Sequence, residues 1–141
     1  MDNNTVVVEH TYNASTEKVW KAITDANQMK QWYLDVPGFK AEVGYKFQFS
    51  GGEEGKQLLH FCEVKEVVHG KKLSYSWRFD GYPGDSLVTW ELFPDGDKTR
   101  LVLTHTGIES FRGDLHPEMK IENFMGWTHV LHKMLKDFVE K

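Results

Sequence analysis

Two histidines near the carboxyl end of the chain, His129 and His132, are three residues apart, so on a helix their side chains lie close together. Imidazole nitrogens bind zinc, but a zinc site needs three or four ligands. On that surface only Asp137 and Glu140 follow, further along the helix. Neither histidine lies on the apolar side that this helix is expected to bury. We therefore expect a solvated surface there and no metal site.

Two other polar residues fall on apolar faces. His105 continues the alternation of Leu101 and Leu103, so its side chain is expected on the buried side of a strand. A buried imidazole needs a partner for each ring nitrogen, supplied either by the protein core or by a ligand at a pocket mouth. Thr128 is a hydroxyl on the apolar stripe of the last helix, where it bonds either the helix backbone or a ligand.

Other reactive patterns carry little weight. Cys62 is the only cysteine, so no internal disulfide forms, and no cationic neighbour marks it as a reactive thiolate. The segment GGEEGKQ resembles a phosphate-binding loop, but no Ser or Thr follows Lys56 and no helix comes after it. No Ser-His-Asp arrangement can be argued. Acid–base catalysis would need His105 with a titratable partner from a loop, so we assign no catalytic residue and no cofactor.

The aromatic share of 13% is high enough that aromatic side chains are expected to line a pocket as well as fill a core. Ligand pockets are mostly apolar with few polar groups, and methionines suit walls that accept varied shapes. Trp32, at the end of a short helix, is the expected portal residue. Plain core packing is the alternative for each aromatic residue. The candidate ligand-binding residues are Trp32, Phe47, Phe49, Trp77, Phe79, Trp90, Leu103, His105, Met119, Phe124, Trp127, Thr128 and Leu131.

The elements that must position these residues follow from periodicity. Residues 5–12 alternate as a strand, and two short helices follow, the first capped by Ser15 or Thr16 and the second beginning at Asp25. Runs 45–50, 57–68, 72–79, 86–93 and 99–106 have strand character and are separated by Gly, Pro and Asp turns. Run 57–68 changes phase, which predicts a bulge between residues 62 and 65.

The segment from Pro117 to Lys141 is predicted to be one long helix. Gly126 within it predicts either a tolerated bend or a close approach of another segment. At 100° per residue one apolar stripe forms and must cover the buried face of the sheet. The stripe consists of Ile121, Phe124, Trp127, Thr128, Leu131, Met134, Leu135 and Phe138.

Bulk properties narrow the function classes. A chain of 141 residues predicts a single domain over residues 1–141. The net charge of −4 without a basic cluster argues against nucleic-acid binding. No apolar run approaches the length of a membrane span, and no secretory signal is present, so we expect a cytoplasmic protein.

Five segments together resemble a known family. They are VEHTYNASTEKVWKAITDANQMKQWY, VGYKFQF, KKLSYSW, LVTWELFPDGDKTRLVLTHTG and GWTHVLHKML. Their order is similar to that of the SRPBCC (START-like, pollen-allergen-like) superfamily, and most similar to the family named after the activator of the heat-shock protein 90 ATPase. Two positions depart from the family pattern: Ser15 stands where proline is usual, and Tyr45 where a second glycine is common.

The resemblance implies an α+β helix-grip fold, in which a curved antiparallel sheet of about six strands wraps around a long C-terminal helix. It implies a cavity between sheet and helix for a small apolar molecule. Two alternatives remain open: a chaperone-associated interaction module of the stress response, and a small cavity enzyme, a cyclase or hydrolase, using His105. The expected partners are a small apolar molecule or a chaperone, with the chain a monomer or homodimer.

Overall fold

The computed structural model describes residues 5–33, 36, 38–51, 58–112 and 126–140. The chain begins with β1 (Val6–Tyr12), followed by α1 (Thr16–Thr24) and α2 (Ala26–Trp32). Five strands come next: β2 (Lys46–Gly51), β3 (Leu58–Val68), β4 (Lys72–Phe79), β5 (Ser86–Asp95) and β6 (Lys98–Thr106). A short turn of 3-10 helix, Ile108–Phe111, follows. The predicted order of elements and the α+β helix-grip architecture are confirmed.

The six strands form one antiparallel sheet in the order β1-β6-β5-β4-β3-β2. The first strand therefore pairs with the last, and β1 and β2 form the two edges. In β4 the side chains of Leu73, Tyr75, Trp77 and Phe79 are buried on one face, as their alternation predicts. The pairing of β3 with β4 shifts between Val64 and Glu66, which confirms the predicted bulge.

Side-chain caps fix the two short helices, as predicted. The Ser15 hydroxyl accepts the backbone N–H of Lys18 at 3.2 Å, and Asp25 Oδ1 accepts that of Asn27 at 2.8 Å. Both helices bury their apolar sides against the interior of the sheet, as Val19 in α1 shows with no exposed surface.

The C-terminal helix consists of three consecutive segments in the described part of the chain: Trp127–His129, a π-helical Val130–Leu135, and Lys136–Val139. Its buried side chains, Trp127, Leu131, Leu135 and Val139, recur at every fourth residue. A π-helical turn bonds residue i to i+5 and rotates less per residue than an α-helix. Buried positions therefore stay aligned at a spacing of four instead of alternating between three and four.

The predicted stripe is wrong at Thr128 for this reason. Its side chain is exposed, whereas Val139, outside the predicted stripe, is fully buried. The predicted close approach at Gly126 is also wrong, because this residue is exposed and a Cβ atom there would meet nothing within 4 Å. The predicted helical residues 117–125 lie outside the described part of the chain. Among the described residues, no helix is long and apolar enough to cross a membrane.

Polar contacts attach the C-terminal helix to β1. The buried Tyr12 hydroxyl donates to the backbone carbonyl of Leu131 at 2.8 Å, within the π-helical segment. A side chain that bonds a helix carbonyl is a recognised cause of local helix distortion. At the surface, His132 Nε2 donates to the Glu9 carbonyl at 2.9 Å, and Glu140 Oε2 accepts the Asn13 N–H at 3.1 Å. The helix is thus fixed near the sheet edge at two places, its middle at Leu131 and His132 and its end at Glu140.

Candidate ligand-binding site

Trp77, in the middle of β4, lies at the centre of a cluster of aromatic rings from five elements. The ring of Phe49 (β2) packs at 5.4 Å and that of His60 (β3) at 4.9 Å, measured between centroids. His105 (β6) packs at 5.6 Å, and Trp127 of the C-terminal helix at 5.4 Å. Alternation along each strand turns these side chains to the same face of the sheet, and the helix closes over them.

The cluster continues in both directions along β4. Towards one end, Phe79 packs at 5.0 Å against the buried Phe111, which belongs to the loop 107–117 that we expect to border an entrance. Residues 113–117 of that loop lie outside the described residues. Towards the other end, Phe47 packs against Tyr75 at 5.3 Å and against Phe39 at 5.1 Å.

The aromatic surface is not uniformly buried. Trp77 and Phe79 are 7% and 5% exposed, whereas Phe47 and Phe49 on the edge strand β2 are half-buried. The side chains of both phenylalanines lie on the inner face of the sheet, because the Phe47 ring contacts Tyr75 and the Phe49 ring contacts Trp77. The aromatic face of the sheet is therefore less completely covered at the β2 edge than at its centre.

Under α2 the interior is nearly filled. The cavity there measures about 10 Å³, barely enough for one water molecule. Trp32 lines this cavity, is 7% exposed, and donates its indole N–H to the Ala22 carbonyl at 2.8 Å. The prediction that Trp32 is a portal residue is therefore wrong: it is a core residue whose polar atom holds α1 and α2 together.

His105 takes part in a directed hydrogen-bond chain. The indole N–H of Trp127 can only donate, so His105 Nδ1, at 3.1 Å, is the acceptor and carries no proton. The proton then lies on Nε2, which donates to Ser86 Oγ at 2.8 Å. Ser86 in turn donates to the Trp77 carbonyl at 2.7 Å. Both ring nitrogens are thus satisfied by the protein, as expected for a core histidine.

Burial determines the electrostatics of this interior. It lowers the pKa of His105 from 6.5 to about 3, so the ring is neutral near pH 7 and poorly suited to general acid–base work. Burial also raises the pKa of the Cys62 thiol, which is 4% exposed and therefore the inert buried residue that we expected. Among the described residues, no group of three or more His, Cys, Asp or Glu is arranged to hold a metal ion.

One polar atom in the cluster has no partner. Trp77 Nε1 is buried and finds no hydrogen-bond acceptor within the described structure. The indole nitrogens of Trp32, Trp90 and Trp127 each donate to a protein acceptor, at 2.8, 3.0 and 3.1 Å. Buried donors without a partner are rare in native proteins, so each needs an explanation.

The remaining candidates divide into core and surface. Trp90, Leu103 and Leu131 are buried behind the cluster and support it. Thr128 is exposed and does not reach the interior. Met119 and Phe124 lie outside the described residues.

Sequence reasoning missed His60, Tyr75 and also Tyr33, whose ring lies 6.1 Å from that of Trp127, as members of the site. The side chain of His60 is buried like those of Cys62 and Val64, two and four residues further along β3. The bulge in β3 interrupts the alternation that would have shown this from the sequence. Tyr75 lies in the clear alternation of β4 and could have been included with Trp77.

A second concavity lies on the opposite, outer face of β2, β3 and β4. It measures about 340 Å³ and is more polar than the interior. The guanidinium of Arg78 lies over the Phe61 ring at 4.9 Å from its centroid. The groove is lined by Lys46, Phe47, Gln48, Phe61, Cys62, Glu63, Ser76 and Arg78.

Solved structures with the same fold are numerous. Protein CV1439 from Chromobacterium violaceum has a TM-score of 0.82 and 25% identity, with 99% of each chain covered. Protein MLL2253 from Mesorhizobium loti has a TM-score of 0.74 and 29% identity, with 93% of each chain covered. CalU16 from Micromonospora echinospora has a TM-score of 0.71 and 26% identity, over 96% of this chain and 73% of that one. No curated protein matches the sequence.

A family model also matches most of the sequence. The model described as "Activator of Hsp90 ATPase homolog 1-like protein" matches residues 13–140. That range includes both short helices, all strands after the first and the C-terminal helix. The match agrees with the resemblance seen in the sequence, and its fold is compatible with hydrophobic ligand binding. This chain therefore belongs to the family of Activator of Hsp90 ATPase homolog 1-like proteins.

Proposed function

We propose that this protein binds a small hydrophobic or aromatic molecule between the sheet and the C-terminal helix. The observation that supports this function is the half-buried state of Phe47 and Phe49 beside the buried ring of Trp77. The exposed part of these inward-facing rings is removed from water only when another molecule covers it. A molecule that removes about 100 Å² of apolar surface from water gains about 2.5 kcal/mol.

The proposed binding wall is narrower than the predicted set of residues. Phe47 and Phe49 would form its outer part, and Trp77, Phe79 and Trp127 its inner part. His105 would support this wall by holding the Trp127 indole, because its own ring nitrogens are already bonded within the protein. Because the cavity under α2 is nearly filled, we expect the molecule on the other side of Phe47, towards Phe49.

Binding can be tested with aminoanthracene, an aromatic molecule whose fluorescence changes in apolar surroundings. Phe49→Ala removes a ring from the inner face, and we expect it to weaken binding about tenfold. Phe61→Ala is the matched control, because Phe61 lies on the neighbouring strand opposite Gln48, next to Phe49, but its ring faces outward under Arg78. No binding by the wild-type protein, or a loss caused only by Phe61→Ala, would contradict an interior site.

A second candidate function follows from the family name and from the outer groove. The family is named after an activator of the Hsp90 ATPase, and the groove beside Arg78 and Phe61 offers both a charge and a ring to a protein partner. If this protein is a chaperone cofactor, adding it to a purified Hsp90 should raise the ATPase rate. Arg78→Ala should then abolish the effect, and Phe49→Ala, which weakens aminoanthracene binding, should preserve it.

A further inference from the structure

The indole N–H of Trp77 is a hydrogen-bond donor that the protein itself leaves unused. Trp77 is 7% exposed, so water reaches this group poorly, and no acceptor is present for Nε1 within the described structure. Three other buried tryptophans of the same interior are satisfied, so the lack of an acceptor is specific to this position. It is also the position at the centre of the aromatic cluster.

The neighbours of Trp77 explain why no acceptor is available. Phe49 and Phe79 carry no polar side-chain atom, and Nε1 makes no hydrogen bond to the His60 ring, whose centroid lies 4.9 Å from that of Trp77. The acceptor nitrogen of His105 is already taken by Trp127, and its other nitrogen is a donor. The Trp77 backbone carbonyl is used by Ser86. The described residues thus supply no acceptor for Nε1, and a molecule that enters the cluster would supply one.

The half-buried ring nearest to the indole lies at the β2 edge. Phe49 is half-buried at this edge, and its ring meets that of Trp77 edge-on at 5.4 Å. A flat molecule that stacks in this region can place a peripheral oxygen next to the indole. Burial keeps His105 neutral, so that ring supplies no positive charge with which to hold a carboxylate.

We propose that the bound molecule is an aromatic compound bearing a neutral acceptor oxygen, such as a ketone or quinone carbonyl, which accepts the Trp77 Nε1–H. This inference rests on the proposed function and specifies its ligand class. The indole would select for the carbonyl, because a hydrocarbon of the same shape leaves the buried N–H without a partner.

Indanone and indane provide the test, since the two share a bicyclic skeleton and differ by one carbonyl. Dissociation constants for both are measured by displacement of aminoanthracene from wild type and from Trp77→Phe, which keeps an aromatic ring and removes the donor. We expect indanone to bind about tenfold more weakly to the variant and indane to bind it at least as well. Trp90→Phe, which alters a neighbouring indole already bonded to Tyr75, should leave the ratio of the two constants unchanged.

Each outcome decides between the claims. If Trp77→Phe weakens neither compound, or both alike, the carbonyl inference is overturned while the proposed function stands. If neither compound nor aminoanthracene binds the wild-type protein, both the carbonyl inference and the proposed function are overturned.

Should Trp77→Phe fail to fold, nitrogen–proton correlation spectra of the wild-type protein replace this variant. The Trp77 indole proton should shift downfield with indanone and not with indane. An equal shift with both, or none with either, would refute the assignment.

Discussion

Mild acidification should destabilise this protein because of one buried histidine. His105 has no exposed surface, and burial lowers its pKa from 6.5 to about 3. The unfolded chain binds a proton near pH 6.5, whereas the native protein leaves this ring neutral down to about pH 3. The unfolded state therefore holds more protons throughout this window, and the free energy of unfolding falls as the pH falls.

The magnitude follows from the two pKa values. Each pH unit below 6.5 removes about 1.4 kcal/mol, so about 2.7 kcal/mol is lost near pH 4.5 and at most about 5 kcal/mol near pH 3. Native proteins are commonly stable by only about 5–15 kcal/mol, so this loss is large. The hydrogen bonds give the structural reason, because a proton on Nδ1 would remove the acceptor of the Trp127 N–H.

The assay is urea unfolding followed by circular dichroism at about pH 7.5, 6.5, 5.5 and 4.5. His105→Gln is the comparison, since its amide offers a donor and an acceptor but does not titrate. At about pH 7.5 we expect the variant to be less stable by about 1–3 kcal/mol, because its amide replaces the two hydrogen bonds imperfectly. Towards lower pH the gap should close, since only the wild type loses the histidine contribution. Parallel curves across the whole range would refute the reasoning.

Three further predictions concern single side chains. Tyr12→Phe should lower the free energy of unfolding by about 1 kcal/mol by removing the buried hydroxyl that bonds the Leu131 carbonyl, as urea unfolding would show. Gly84→Ala should cost at least about 2 kcal/mol in the same assay, because φ is +96° and the added Cβ would lie 2.3 Å from the Ser110 carbonyl oxygen. Cys62 should react with a thiol reagent far more slowly in native than in urea-unfolded protein, because burial raises the pKa of its thiol.

Each of these predictions has a control in the same chain. Tyr45→Phe removes an exposed hydroxyl bond to the Gly38 carbonyl and should cost less than Tyr12→Phe. Gly70→Ala tests the backbone strain alone, because φ is +74° and nothing lies within 4 Å of the added Cβ. Equal losses within either pair would contradict the assigned contacts. Equal thiol reaction rates in native and unfolded protein would show that Cys62 is accessible.

The fold was predictable because local signals and the hydrophobic pattern agree. The alternation of Leu73, Tyr75, Trp77 and Phe79 fixes which face of β4 is buried, and the caps at Ser15 and Asp25 fix where the short helices begin. These signals depend on residues close in sequence, so a pattern rule captures them. The placement of the sheet against the helix followed because each had one apolar face to bury.

The errors arise where distant contacts change local geometry. Thr128 was included in the buried stripe and Val139 was left out of it because an ideal α-helix was assumed, whereas the C-terminal helix is π-helical between Val130 and Leu135. A hydroxyl from Tyr12, more than a hundred residues away, bonds a carbonyl inside this segment. Periodicity contains no information about such a bond. His60 was missed for a similar reason, because pairing with β4 produces the bulge in β3.

The way the helix is attached bears on how a molecule could enter. The Trp127 indole is held by His105, and the helix backbone is held by Tyr12, both through buried hydrogen bonds. Lifting the helix from the sheet would break both bonds and leave their buried partners unsatisfied, which is costly. The β2 edge has no such restraint in the described contacts of Phe47 and Phe49, which are ring packing alone. Displacing these rings breaks no hydrogen bond, so entry at the β2 edge is favoured over entry beneath the helix.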